Sequence, residues 1–196
     1  MPPRRDANRF SSAAVRILKS GGCGVIPTDT IYGISARALD QRAVERVYKL
    51  RRRDAGKPFI ILINSIADLR LLNIRPTLAQ KRFLRRYWPG PVSVILACPQ
   101  KHFAYLHRGR KTLAFRLPAD PALRTFLKKT GPLISTSANP AGKPPARSIR
   151  AARRYFGAKL DFYADAGRLS GQPSALVRFK NGKIEILREG SIELTA

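Results

Sequence analysis

Small hydroxyls and one carboxylate crowd the segment Gly24-Val25-Ile26-Pro27-Thr28-Asp29-Thr30-Ile31-Tyr32-Gly33, where a short apolar strand runs into a turn that ends on glycine. Thr28 and Thr30 both donate and accept hydrogen bonds, Asp29 only accepts, and Tyr32 adds an aromatic face with a polar tip. An ordinary β-turn uses the same residue types, so the segment acquires chemical meaning only beside others. A second polar turn, Ser135-Thr136-Ser137-Ala138-Asn139, follows the apolar Leu133-Ile134. Small side chains there leave backbone N–H groups able to approach a phosphate, which makes an anion nest. The third group is cationic: Arg51, Arg53 and Lys57 after a helix, Arg116 on a strand, Arg147 in a loop and Arg188 on the last strand. Guanidinium forks bind carboxylates and phosphates at two points. Among 38 Lys and Arg, a solvated surface role is the ordinary expectation for any one of them. Arg116 and Arg188 depart from it because they sit in otherwise apolar strands.

Other chemistries lack their parts. No Gly-x-Ser-x-Gly elbow occurs, and His102 and His107 have no evident acid partner, which argues against a serine nucleophile. Asp29 is the only carboxylate of the opening turn, and Asp161 and Asp165 lie four apart in a Tyr-containing segment that need not be helical. Neither a Walker loop, an EF-hand nor a His-Glu-x-x-His is present. No metal ligands are assigned, and any magnesium would arrive on nucleotide phosphates. Cys23 and Cys98 are far apart and belong to no Cys/His cluster, so neither a zinc site nor a disulfide framework is suggested and a reducing cytoplasm is inferred.

The elements that must position these groups alternate between helix and strand. Ser11 and Ser12 cap a helix carrying Val15, Ile17 and Leu18; Val25–Pro27 is a strand; Asp40 caps a helix with Ala43, Val44, Val47, Tyr48 and Leu50 on one face. Phe59–Ile63 and Val92–Ala97 are apolar enough for interior strands, and Thr77 opens a helix that stops at Trp88-Pro89-Gly90-Pro91. Leu69–Leu72 is a short helix or turn. In Thr112–Pro118 the period is two, so Thr112, Ala114 and Arg116 share a face while Leu113, Phe115 and Leu117 point to the core. Helices follow from Pro121 to Lys129 and from about Ser148, with a strand through Pro132–Ser137 between them. Strands Ser174–Phe179 and Ile184–Leu187 are joined at Asn181-Gly182, a two-residue hairpin signal. The expectation is one α/β domain over residues 1–196, with some antiparallel pairing.

Composition narrows the partners. The formal charge is +26 at pI near 11.4, which points to anions: nucleotides, RNA or anionic membranes. No apolar run reaches the length of a bilayer span, and the amphipathic N-terminal segment is too interrupted for a signal-peptide core.

Six segments in order carry a resemblance: Pro27–Gly33, Tyr48–Arg53 with Lys57-Pro58-Phe59, Trp88–Val92, Phe115–Pro118, Ser135–Asn139 and Ile186–Gly190. Together they resemble the YrdC/TsaC family of threonylcarbamoyl-AMP synthases over roughly residues 8 to 192, in its short form without the extra C-terminal domain. The resemblance implies a twisted mixed sheet with flanking helices around a concave basic cavity. It also implies a reaction in which L-threonine captures bicarbonate as a carbamate, the carbamate attacks the α-phosphate of ATP, and pyrophosphate leaves. Magnesium would ride with ATP. The product would pass to proteins that modify adenosine 37 of tRNA, in the cytoplasm.

By matching position, the resemblance places Thr30 on threonine and Arg116 on its carboxylate or the carbamate. It places Arg51, Arg53 and Lys57 on the triphosphate, with Arg51, Arg53 and Arg116 as the catalytic cations. Thr112, Ser135, Ser137 and Asn139 would line the adenylate and phosphate pocket, Ser137 and Ser174 lying near the threonine side and Arg188 near the nucleotide. Pro145 and Arg147 would fall in a nucleotide-covering segment. The family's Lys-x-Arg is Arg51-x-Arg53 here; an earlier register, Lys49-x-Arg51, restores the lysine but lengthens the gap to Lys57-Pro58, and spacing favours Arg51 and Arg53. The alternative is an RNA-binding protein on the same fold without efficient synthase activity, motivated by the +26 charge.

Overall fold

A computed structural model describes residues 9–52, 54 and 56–194. Local rules set most element boundaries. Helix α1 (Ser12–Lys19) starts where Ser11 accepts from the Ala14 N–H, and α2 (Gln41–Arg51) where Asp40 accepts from Ala43. Helix α3 (Leu78–Tyr87) has a capping box from Thr77 and Gln80, and α4 (Ala104–His107) is a single turn. Helices α5 (Pro121–Thr130) and α6 (Ile149–Phe156) are capped by Asp120 and Ser148. Strands are β1 (Cys23–Pro27), β2 (Tyr32–Arg37), β3 (Ile60–Leu62), β4 (Val92–Ala97), β5 (Thr112–Arg116), β6 (Leu133–Ser137), β7 (Phe162–Tyr163), β8 (Ala175–Lys180) and β9 (Lys183–Arg188). Leu69–Leu72 belongs to a 3-10 turn over Ile66–Leu72.

The described strands form one mixed sheet in the order β7-β1-β2-β6-β3-β5-β4-β8-β9. The pairs β7–β1, β3–β5 and β4–β8 are parallel and the others antiparallel. Asn181 and Gly182 both take positive φ, 51° and 75°, as a two-residue hairpin turn requires.

Alternation along the strands divides the molecule. On one face Val25, Ile34, Ile61, Val94, Leu113, Phe115, Ile134 and Val177 form a continuous core with buried residues of α2, α3, α4 and α6. On the other face Ile26, Leu62 and Leu133 pack beneath α1 and α5, where Phe10 stacks on Phe126 at 4.7 Å between ring centroids. That second helical layer covers the β1, β2, β6 and β3 side. Beyond it, the same face of β3, β5, β4 and β8 carries no helix among the described residues and forms the floor of a cavity.

Candidate active site

The cavity encloses about 760 Å³. Its floor is the helix-free sheet face: Ile60 and Leu62 of β3, Thr112, Ala114 and Arg116 of β5, Ile95 of β4, Leu176 and Arg178 of β8. One wall is the Thr28–Ile31 turn, another the Ser135–Ser137 strand end, and Pro173, Ser174, Leu187 and Arg188 close the β8–β9 side.

At one end the turn after β1 is wired to β5. The Thr28 hydroxyl donates to the Ile31 carbonyl at 2.7 Å and lies 2.9 Å from the Thr30 hydroxyl. A hydroxyl has one proton, so Thr30 is the donor in that pair. Arg116 Nη1 donates to Thr30 Oγ1 at 2.8 Å. Thr30, 4 % exposed, therefore offers an incoming ligand only a lone pair, which suits an amine or hydroxyl proton. Arg116 also donates through Nη2 to Asp29 and through Nε to the Gly90 carbonyl at 3.3 Å.

Tyr32 ties the loop after β7 to this turn. Its hydroxyl donates to the Gly167 carbonyl at 2.7 Å, accepts from the Ala166 N–H at 2.9 Å, and has the Asp165 carboxylate at 3.2 Å. Burial pushes the phenol up to about 12, so it stays protonated at neutral pH. The loop then passes Thr30 so closely that a β-carbon on Gly171 would stand 2.2 Å from the Thr30 carbonyl oxygen. Removing the Tyr32 hydroxyl in Tyr32→Phe strands the Ala166 N–H and Gly167 carbonyl. It is expected to cost about 1–3 kcal/mol, read as a lower urea midpoint at unchanged m-value.

Of the residues expected from sequence, Thr30, Lys57, Thr112, Arg116, Ser135, Ser137, Pro145, Ser174 and Arg188 all line this one cavity. Arg53 lies outside the described residues. Three expected residues lie outside the lining. Arg51, 4 % exposed, donates through Nε to the Asn139 carbonyl at 2.7 Å and through Nη1 to Thr136 Oγ1. It braces the end of β6 from behind, because its place on α2 turns it into the fold. Asn139 donates to the carbonyls of Pro140, at 3.0 Å, and Lys143, at 2.6 Å, holding the loop that carries Pro145. Arg147 is exposed, and its carbonyl accepts from the Leu169 N–H.

Sequence inspection missed two cavity cations, Arg110 and Arg178. Arg178 was legible: it follows Ser174 and Leu176 at period two on one strand face. Arg110, whose Nε donates to the Gly56 carbonyl at 3.1 Å, lies in a turn and gave no periodic signal. Lys57, Arg110, Arg116, Arg178 and Arg188 are thus gathered around a lining that, among its described residues, holds no carboxylate. Glu185 pairs with Arg178 at 2.8 Å from the adjoining β9. Ser174 is linked to Ser93 at 2.8 Å and accepts from Arg188 at 3.3 Å.

No enzyme nucleophile is prepared here. Burial raises both free thiols, Cys23 to about 11, which leaves them neutral at pH 7. His107 is buried with Nδ1 accepting from the Gly109 N–H at 3.2 Å, which leaves Nε2 to face the Gln100 carbonyl at 3.3 Å. Neither histidine lines the cavity. No group of three or more His, Cys, Asp or Glu among the described residues could hold a metal ion.

A half-covered mixed sheet with a cation-lined, hydroxyl-rimmed cavity defines an α/β protein whose site has the charge to suit anionic small molecules. The chain belongs to the Sua5/YciO/YrdC family, whose model, described as "Telomere recombination", matches residues 16–190. A threonylcarbamoyl-AMP synthase of Marinobacter nauticus is 35 % identical over 169 residues, 84 % of this chain and 88 % of the relative. One from Hahella chejuensis is 33 % identical over 178 residues, 89 % and 96 % respectively. Among solved structures, Pyrococcus abyssi Sua5 complexed with L-threonine superimposes with a TM-score of 0.83 at 29 % identity over 91 % of this chain. This chain spans about half of that protein, 53 % of its length. Escherichia coli YciO, at 24 % identity and TM-score 0.81, shares the fold over 92 % of this chain and 89 % of its own.

Proposed function

We propose that the chain is a threonylcarbamoyl-AMP synthase, forming L-threonylcarbamoyladenylate and pyrophosphate from L-threonine, bicarbonate and ATP. The observation that carries this reading is the single cavity in which Thr30 and Arg116 sit hydrogen-bonded at one end while Lys57, Arg110, Arg178 and Arg188 line the remainder. The family relatives named as this synthase, and the P. abyssi complex with L-threonine, support it.

In this reading the threonine nitrogen attacks the carbon of bicarbonate and water is lost, giving the carbamate. Arg116 holds the amino acid's carboxylate, and Thr30 accepts from its amine or hydroxyl. A carbamate oxygen then attacks the α-phosphorus of ATP as the bond to the β-phosphate oxygen breaks. The departing pyrophosphate charge falls to the cavity cations, with Thr112 and Ser135 donating to phosphate or ribose oxygens and Ser137 and Ser174 bordering the threonine side. Catalysis is then alignment plus electrostatic stabilisation, with no covalent enzyme intermediate. Magnesium enters as part of the ATP complex. Arg51 and Asn139 act as supports for the β6 end, and Pro145 borders the nucleotide. The product would serve tRNA threonylcarbamoyladenosine synthesis in the cytoplasm through downstream transfer proteins. No helix among the described residues is long and apolar enough to cross a membrane.

The deciding experiment supplies the purified protein with ATP, bicarbonate and L-threonine and measures pyrophosphate. Release that requires threonine is the expected result. Release that ignores threonine, or none across a range of magnesium, would sink the assignment.

Direct RNA contact is a second reading, favoured by exposed basic rows on α3 (Lys81, Arg82, Arg85, Arg86) and α6 (Arg150, Arg153, Arg154) and by the net charge of +26. Binding through phosphates is expected to weaken steeply with salt, with a log–log slope of about −0.7 per contact for single strands. A titration between low and high salt checks it, and a flat response removes this reading.

A further inference from the structure

Asp29 is adjacent to Thr30 in sequence, yet the cavity lining takes Thr28, Thr30 and Ile31 and leaves Asp29 out. Its side chain is only 14 % exposed and is not part of the cavity lining. Oδ1 accepts from Arg116 Nη2, and Oδ2 accepts from the Ala119 backbone N–H at 3.0 Å. The carboxylate thus bridges the turn after β1 and the loop after β5. Arg116 is itself 4 % exposed. Of its five N–H groups, three have protein acceptors: Thr30 Oγ1, Asp29 and the Gly90 carbonyl. The two that remain are one on each terminal nitrogen, available to a ligand carboxylate.

We propose that Asp29 is the positioning residue for Arg116: it fixes the guanidinium plane so that the remaining N–H groups of the two terminal nitrogens serve the cavity and receive the substrate's carboxylate. The inference rests on the assignment of Arg116 to that carboxylate. Two effects oppose each other when Asp29 is removed. Loss of a negative charge strengthens the field of Arg116, while loss of its only charged acceptor leaves a desolvated guanidinium held by two neutral oxygens. Orientation decides, because charge-assisted hydrogen bonds are about twice as strong as neutral ones and a misdirected fork cannot bind at two points.

The test uses the full chain and steady-state kinetics with each substrate varied, together with calorimetric binding of L-threonine. Asp29→Ala is expected to raise the KM for threonine about tenfold or more while the KM for ATP is unchanged. Asp29→Asn gives a smaller rise, since one amide oxygen replaces only one of two acceptors, and Asp29→Glu restores part of the affinity. Introduced into Arg116→Ala, the Asp29→Ala change adds nothing. An unchanged or lowered threonine KM in Asp29→Ala overturns the proposal, as does an equal rise for both substrates or additivity in the double variant. If Asp29→Ala does not fold, Asp29→Asn decides by the same criteria. Threonine binding retained in Arg116→Ala would instead remove the underlying assignment, so the two failures are distinguishable.

Discussion

Arg116→Ala is expected to lower kcat/KM for threonine-dependent pyrophosphate release about a hundredfold or more. The residue is 4 % exposed and its side chain sits at the junction of Thr30, Asp29 and Gly90. Each charge-assisted hydrogen bond to a carboxylate is worth about 1.5–3 kcal/mol, so losing a two-point contact removes at least about 3 kcal/mol, or roughly a hundredfold in kcat/KM. The substitution also strands Asp29, whose side chain is 14 % exposed, so the melting temperature should fall as well. Thermal denaturation by circular dichroism alongside the assay separates the two effects. Arg116→Lys keeps the charge but replaces the fork by a point donor, and is expected to recover stability better than activity. Activity near that of the parent in a folded Arg116→Ala protein would take Arg116 out of the site.

Gly171→Ala is expected to produce the second large loss, through contact and not through charge. The added methyl would lie 2.2 Å from the Thr30 carbonyl oxygen, a backbone atom that cannot swing aside as a side chain does. The chain must part at that point, and such overpacking costs about 1–3 kcal/mol. Moving Thr30 disturbs its bonds to Thr28 and Arg116. The KM for threonine should therefore rise about tenfold or more if one hydrogen bond to the substrate is lost, with little change in the KM for ATP. Separate substrate titrations check this, and an unaltered threonine KM would show that the loop does not set the position of Thr30.

Much of this arrangement was legible from residue order because the relevant signals are local. The period-two pattern of β5 placed Thr112, Ala114 and Arg116 on one face, and they line the cavity together. The caps at Asp40, Thr77 and Ser148 and the Asn181-Gly182 turn obey nearest-neighbour chemistry. What sequence hid depends on tertiary partners. Strand β2 (Tyr32–Arg37) is wholly buried but for its last residue, so its Gly33-Ile34-Ser35-Ala36 run lacks the alternation that marks a half-exposed strand, and its start looks like a continuation of the turn. Strand β7 is two residues long and exists only by pairing with β1. The family resemblance places Arg51 among the triphosphate ligands; its inward direction follows from which face of α2 meets the sheet, and helical phase alone does not decide between core brace and cavity wall. Arg110 owes its place to the Gly56 carbonyl, far away in sequence.

The strict division of labour along β5 has an evolutionary corollary. Residues 113 and 115 pack into the core and residues 112, 114 and 116 line the cavity, so Thr112 and Ala114 can be exchanged without touching the core, whereas Arg116 also ties Thr30, Asp29 and Gly90 together. A single-codon insertion there would do the reverse, turning guanidinium inward and phenyl outward in one event. Drift by substitution is therefore open to this strand at residues 112 and 114, whereas drift in length is closed.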